Sequence, residues 1–267
     1  MFAATNAKIV IICVDNYCSP SIKDNEHSMR GRIRGNTYVI NGPDQKRSSN
    51  FSKELQNINF KDALIKFLFD HWKENHMAPF FAGKTIYVNH DKCYKYEILN
   101  GNVIQTEEIE LSCPNHEEAD TKIAFHVFKL NFDACITIRC SDTDILIIML
   151  GIMSKLTQNL QISILKGTGN ARRYINIIEL HKKLGDELCR ALPGFHALMG
   201  CDFNPAFFKK GKKKPLDALT GCDFNPAFFK KGKKKPLKML RKSAKFIRTF
   251  IDICDWSNED LDELFNP

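Results

Sequence analysis

The sequence predicts an α/β fold, a three-layer α/β/α sandwich in which helices cover both faces of a mainly parallel sheet, followed by a basic helical region. Several short segments are continuously apolar and rich in β-branched residues, as is typical of strands buried on both faces. Segments with helical periodicity lie between them, and this alternation is typical of α/β proteins. The composition, with 43% hydrophobic and 26% charged residues, excludes a mostly disordered chain.

Four strands and three helices follow from these patterns. The strands are predicted at 8–14, 84–89, 134–139 and 161–165. The helices are predicted at 60–73, 116–130 and 177–192. Asn115 is the expected N-cap of the second helix, because an asparagine side chain accepts hydrogen bonds from the first turn of a helix.

Acidic residues follow two of the predicted strands. Asp15 comes after the first strand, and Asp142 and Asp144 come after the third, across a short turn. Functional side chains of open α/β sheets gather beyond the carboxyl ends of the strands. We therefore expect these three carboxylates at one edge of the sheet.

Further acidic residues lie at the start of the second predicted helix and in a Gly-Cys-Asp segment. They are Glu117, Glu118, Asp120 and Asp202, with Asp223 as a duplicate of the last. Crowded carboxylates repel one another, and a divalent cation relieves that repulsion. Oxygen ligands favour Mg²⁺ or Mn²⁺ over zinc. Two such ions can activate water and stabilise the leaving oxygen in phosphodiester cleavage.

Other interpretations of these carboxylates stay open. Asp15 is also suited to end a strand and start a turn. The acidic start of the second helix is also favourable because it faces the positive end of the helix macrodipole. The Asp-x-Asp pattern of Asp142 and Asp144 is also typical of phosphatases with an aspartyl nucleophile and of metal-dependent glycosyltransferases.

The positive charge of the chain is concentrated in residues 201–248, which hold fifteen lysines and arginines and three acids. The whole chain carries a formal charge of +8, so the rest of it is net acidic. Such a block indicates a polyanion partner, and a solvated lysine-rich loop is the alternative. The block contains a tandem repeat: residues 197–216 and 218–237 differ only at Met199 and Thr220.

The cysteines indicate an intracellular protein. There are ten, none in a Cys-x-x-Cys pair, and several lie in predicted strands, so we expect reduced thiols. Cys113 and His116 have ligand-like spacing, yet no second pair accompanies them, so no zinc site is predicted. We see no secretory signal and no apolar run of the roughly 20 residues that span a bilayer. No membrane association is expected, and the lysine runs favour the nucleus over the cytoplasm.

Three segments in order, HEEADTKIAFH, CITIRCSDTDILII and LPGFHALMGCDFNPAFFKKGK, resemble the core of flap-endonuclease and XPG-type nucleases of the PIN-like fold. They are most similar to uncharacterised animal proteins of that superfamily. The resemblance implies a PIN-like domain at 1–195 and a basic helix-hairpin-helix-like region at 196–250. An acidic amphipathic tail at 251–267 follows.

The resemblance also implies a nuclease site that uses two Mg²⁺ or Mn²⁺ ions. Its implied catalytic residues are Asp142, Asp144, Glu118 and Asp120, and Asp15 and Asp202 complete the metal ligands. The implied partner is nucleic acid, with DNA favoured over RNA and branched or flapped structures as candidate substrates. Its phosphates would be held by Lys209, Lys210, Gly211, Lys212, Lys213 and Lys214 and by Lys230, Lys231, Lys233, Lys234 and Lys235.

Three departures from the family pattern favour an alternative. The family has an earlier strand with another metal-binding aspartate, so we expect this chain to be N-terminally truncated. Lys209 stands where the family hairpin has a glycine, and the Gly-Cys-Asp element is duplicated. The alternative is a catalytically degenerate relative that binds nucleic acid without cleaving it.

Overall fold

The computed structural model describes residues 6–16, 38–55, 57–140, 142–156, 158–199, 237 and 240–254. The chain forms two compact units, Met1–Lys122 and Ile123–Pro267, and this division falls inside the predicted 1–195 domain. Each unit combines a small sheet with helices, which confirms the α/β class. Among the described residues, no helix is long and apolar enough to cross a membrane.

The first unit contains a four-stranded mixed sheet. Its strands are β1 (Ile9–Cys13), β2 (Thr85–Asn89), β3 (Cys93–Leu99) and β4 (Asn102–Glu107), in the order β1-β2-β3-β4. The pairing of β1 with β2 is parallel, whereas the other two pairings are antiparallel. The helices of this unit are α1 (Phe51–Glu54), α2 (Ile58–Trp72) and α3 (Ala78–Phe81).

A compact apolar cluster holds this sheet to its helices. Its fully or almost fully buried members are Phe81, Ile86, Val88, Tyr96 and Val103. Phe69 and Trp72 of α2 pack against it. The helix begins where the Asn57 side chain accepts a hydrogen bond from the Phe60 N–H at 3.2 Å.

The hairpin of β3 and β4 was not predicted from the sequence. Its turn is Asn100-Gly101, and both residues have positive φ, 52° and 80°. An Asn-Gly pair between two strands is a strong hairpin signal, because this turn requires left-handed backbone at both positions. The signal was therefore present in the sequence.

The second unit contains a three-stranded mixed sheet and most of the remaining helices. Its strands are β5 (Ala134–Arg139), β6 (Leu160–Lys166) and β7 (Arg173–Asn176). β5 pairs with β6 in parallel, and β6 pairs with β7 antiparallel. Helix α4 (Ala119–Phe128) spans the division between the units. It is followed by α5 (Asp144–Ile152), α6 (Ile177–Leu184), α7 (Asp186–Met199) and α8 (Ala244–Cys254).

Three sequence predictions need correction. The described sheets are mixed rather than mainly parallel. The single helix predicted at 177–192 is two helices, because Gly185 adopts a φ of 84° that interrupts the right-handed helix. The second predicted helix begins at Ala119 and not beside Asn115. The four predicted strands and the helix at 60–73 are confirmed to within two residues at each end.

Helix α7 lies so close to α8 that glycine is required at position 194. A Cβ atom on Gly194 would stand 2.7 Å from the Cys254 Sγ and 2.9 Å from the Phe250 carbonyl oxygen. Neither helix can accept that atom without moving, because one of the two contacts is with backbone.

We expect Gly194→Ala to destabilise the protein by about 1–3 kcal/mol, the usual cost of overpacking. Alanine is the better helix former by roughly 1 kcal/mol, so a substitution without the steric clash would stabilise instead. The free energy of unfolding in urea distinguishes the two signs. A more stable Gly194→Ala variant would show that α7 and α8 are not in close contact here.

Candidate functional site

The carboxyl end of β1 is joined to the start of α4. The Asp15 Oδ1 accepts a hydrogen bond from the Ala119 N–H at 3.0 Å, and the Asn16 N–H donates to the Glu117 carbonyl at 2.8 Å. A helix start has unpaired N–H donors and a partial positive charge, so a carboxylate is favourable there. Asp15 therefore lies beside the helix start that carries Glu118 and Asp120.

A buried lysine fastens the same helix to the strand ends. Lys122 has no exposed surface, and its Nζ donates to the Val14 carbonyl at 2.9 Å and to the His90 carbonyl. Burial lowers the pKa of Lys122, and the nearby carboxylates of Asp15 and Asp91 act in the opposite direction. The ammonium group thus ties α4 to the segments that follow β1 and β2.

The thiols around this lysine are held in their neutral form. Burial raises the pKa of Cys93 to about 12, and it also raises the pKa of Cys13 and of Cys113. Asn89 has no exposed surface, and its Nδ2 donates to the Cys113 Sγ at 3.2 Å. All cysteines in the described residues are free thiols. Neutral buried thiols are poor nucleophiles and poor metal ligands.

In the second unit, the Asp-x-Asp pair occupies the turn from β5 into α5. The Asp142 Oδ1 accepts hydrogen bonds from the Thr143 N–H at 2.6 Å and from the Asp144 N–H at 3.2 Å. Asp142 is exposed, whereas Asp144 is half-buried at the first position of α5. The pair therefore lies in the turn that the sequence predicts after this strand, and the helix that follows the turn was not predicted.

His196 of α7 contacts this pair. Its Nε2 lies 3.0 Å from the Asp144 Oδ1, and both side chains are largely buried. The sequence places His196 just before the Gly-Cys-Asp segment and gives no sign of a contact across 52 positions. His126 of α4 is 3% exposed.

The remaining predicted site residues lie outside the described residues. These are Asp202 and the phosphate-binding set Lys209, Lys210, Gly211, Lys212, Lys213, Lys214, Lys230, Lys231, Lys233, Lys234 and Lys235. Their predicted roles stay predictions.

The predicted single sheet edge is wrong for the described residues. β1, which precedes Asp15, belongs to the four-stranded sheet, and β5, which precedes Asp142 and Asp144, belongs to the three-stranded one. Carboxylate oxygens suit Mg²⁺ or Mn²⁺. Among the described residues of the first unit, Asp15, Glu118 and Asp120 do not all bring carboxylate oxygens within 4.8 Å of one another.

A different group of side chains does bring its potential ligand atoms this close together, and it was not predicted from the sequence. Within the part of the chain that the structure describes, His71, Glu74 and His76 are the group whose ligand atoms lie within 4.8 Å of one another. Their spacing, His-x-x-Glu-x-His, runs from the last turn of α2 into the next turn. The sequence prediction for this region is only a helix that ends at residue 73, although the spacing of the three residues is a visible signal.

Comparison of the chain with protein-family models, with curated proteins and with solved structures found no match.

We expect Lys122→Met to destabilise the protein by about 2 kcal/mol, because two buried carbonyl oxygens lose their donor. The matched control is Lys66→Met on the exposed side of α2, which should change stability by less than about 0.5 kcal/mol. Urea unfolding measures both. Equal effects of the two substitutions would contradict the anchoring role of Lys122.

His90 should make the protein less stable in mild acid. Burial, and then the charge of Lys122, lower the pKa of His90 below its ordinary value of 6.5. Between the folded pKa and 6.5 the unfolded chain binds more protons, so stability falls as the pH decreases through this window. We expect a smaller loss between pH 7.5 and 5.5 in His90→Gln than in the wild type, measured by urea unfolding. An unchanged pH dependence would exclude His90 as the cause.

Proposed function

We propose that this chain is a PIN-like hydrolase that cleaves phosphodiester bonds of nucleic acid and depends on Mg²⁺ or Mn²⁺. The observation that carries the proposal is the hydrogen bond between Asp15 and Ala119. It joins two acidic motifs that are 104 positions apart in the sequence and that the family resemblance assigns to one site. If the two short motifs resembled the family only by chance, there would be no reason for them to be in contact in the folded chain.

The Asp-x-Asp pair supports the same proposal from the second unit. Asp142 is exposed at the turn after β5, where an external ligand can reach it. Asp144 is oriented by its contact with His196. In this proposal His196 is a positioning residue, since it acts through the carboxylate of Asp144.

A second candidate function is nucleic-acid binding without cleavage. Its support is that two of the proposed ligands already have protein partners: Asp15 accepts from Ala119, and Asp144 contacts His196. Among the described residues of the first unit, moreover, Asp15, Glu118 and Asp120 do not all bring carboxylate oxygens within 4.8 Å of one another. The lysine-rich repeats would then be the functional part of the chain.

The experiment incubates the purified chain with labelled flapped, duplex and single-stranded DNA and RNA in Mg²⁺, Mn²⁺ or EDTA. We expect cleavage that needs the metal and falls at least about 100-fold in Asp142→Asn/Asp144→Asn, because both substitutions keep shape and remove charge. The matched control is Glu110→Gln/Asp252→Asn, which removes two exposed carboxylates outside the predicted motifs. It should cleave like the wild type.

The other outcomes separate the candidates. Binding that weakens steeply with salt but is not followed by cleavage supports the binding module. Cleavage that persists in Asp142→Asn/Asp144→Asn contradicts the proposed site. A chain that neither binds nor cleaves any of these nucleic acids contradicts both candidate functions.

A further inference from the structure

Two histidines and one glutamate form a cluster at the end of α2, away from the predicted carboxylate motifs in the sequence. The His71 Nδ1 lies 3.4 Å from the Glu74 Oε1, and the His76 Nδ1 lies 3.2 Å from the Glu74 Oε2. The rings of the two histidines have their centroids 4.9 Å apart. Three side chains thus direct nitrogen and oxygen atoms toward one small volume.

These separations fit a tetrahedral metal ion. Nitrogen and oxygen ligands stand about 2.0–2.1 Å from Zn²⁺, which places neighbouring ligand atoms of a tetrahedron about 3.3 Å apart. The two contacts are close to this value, although they involve the two different oxygens of the Glu74 carboxylate. The third separation, between the histidine nitrogens, is within 4.8 Å. It can shorten by rotation of His76, whose side chain is 56% exposed.

The surrounding structure holds the ligands in place. The His71 ring stacks on Phe67, with centroids 5.4 Å apart and planes inclined by 12°. Between Glu74 and His76, the Asn75 Oδ1 accepts a hydrogen bond from the Val103 N–H of β4 at 3.1 Å. Met77 then packs against the apolar cluster of the first unit. The backbone that carries the cluster is therefore fixed on both sides before any ion binds.

Charge also favours a cation here. Glu74 contributes a carboxylate, and neutral histidines add no charge. The nearest lysine in the sequence, Lys73, is paired with Asp70 at 2.7 Å, so its positive charge is compensated. A divalent cation would therefore meet a net negative ligand set.

We propose that His71, Glu74 and His76 bind one transition-metal ion, with Zn²⁺ as the best-fitting cation. Two imidazoles and one carboxylate suit zinc and its neighbours, whereas Mg²⁺ and Ca²⁺ prefer oxygen ligands. Three protein ligands leave a fourth position for water, so the site would bind an exchangeable ion. The proposal goes beyond the proposed nuclease function and does not depend on it.

The test measures Zn²⁺ binding to the full chain after chelation, in reducing buffer, by calorimetry with ZnCl₂. We expect one equivalent bound in the wild type, and affinity at least about tenfold weaker in His71→Ala, His76→Ala and Glu74→Gln. Glu74→Gln changes an exposed side chain, so it preserves the fold if a histidine substitution does not. Excess Mg²⁺ should not displace the zinc.

The matched control is His181→Ala. The His181 Nε2 lies 3.4 Å from the Asp186 Oδ1, and this histidine–carboxylate pair has no third ligand among the described residues. This variant should bind Zn²⁺ like the wild type. Equal affinity in the wild type and in all three cluster variants would overturn the proposal and leave the contacts as ordinary ion pairs.

Co²⁺ gives an independent readout, because it replaces zinc and reports its ligands by absorption. A cobalt spectrum without thiolate charge-transfer bands, lost in His71→Ala and Glu74→Gln, supports the proposal. Strong thiolate bands that persist in these variants would assign metal binding to cysteines instead and would also overturn it. Neither result depends on whether the chain cleaves nucleic acid.

Discussion

The buried ammonium group of Lys122 fixes the start of α4 against two strand ends in the first unit. A charge removed from water is costly unless hydrogen bonds and opposite charges compensate it. Here the carbonyls of Val14 and His90 supply the acceptors, and Asp15 and Asp91 add favourable negative charge. The start of α4 must therefore stay against the ends of β1 and β2. The carboxylate of Asp15 completes the connection by capping that helix.

The position of Asp15 at a helix start is suited both to helix capping and to metal binding. A carboxylate that accepts a backbone N–H from a helix start keeps lone pairs for another ligand. The capping contact is thus compatible with a structural role and with a place in a larger carboxylate site. What distinguishes the two roles is whether other carboxylate oxygens join the oxygen of Asp15 around a metal ion.

Local patterns predicted much of the fold, because strand and helix periodicity are properties of short segments. All four predicted strands and the helix at α2 are present. Helix interruptions and strand pairing were harder to predict. The interruption at Gly185 depends on one backbone angle, and the division of the strands into two sheets depends on long-range pairing. For the candidate site, residue types could be predicted from motifs. The contacts of Asp15 with Ala119 and of Asp144 with His196 join positions 104 and 52 residues apart, and no local pattern encodes them.

The close crossing of α7 and α8 also has a consequence for how this chain can diverge. Position 194 cannot gain a side chain while the Cys254 sulfur and the Phe250 carbonyl occupy that space. A larger residue at 194 becomes tolerable only after α8 has shifted, because a smaller residue at 254 would still leave the contact with the Phe250 carbonyl. Among descendants of this sequence, a change at 194 should therefore arise only after changes that move α8.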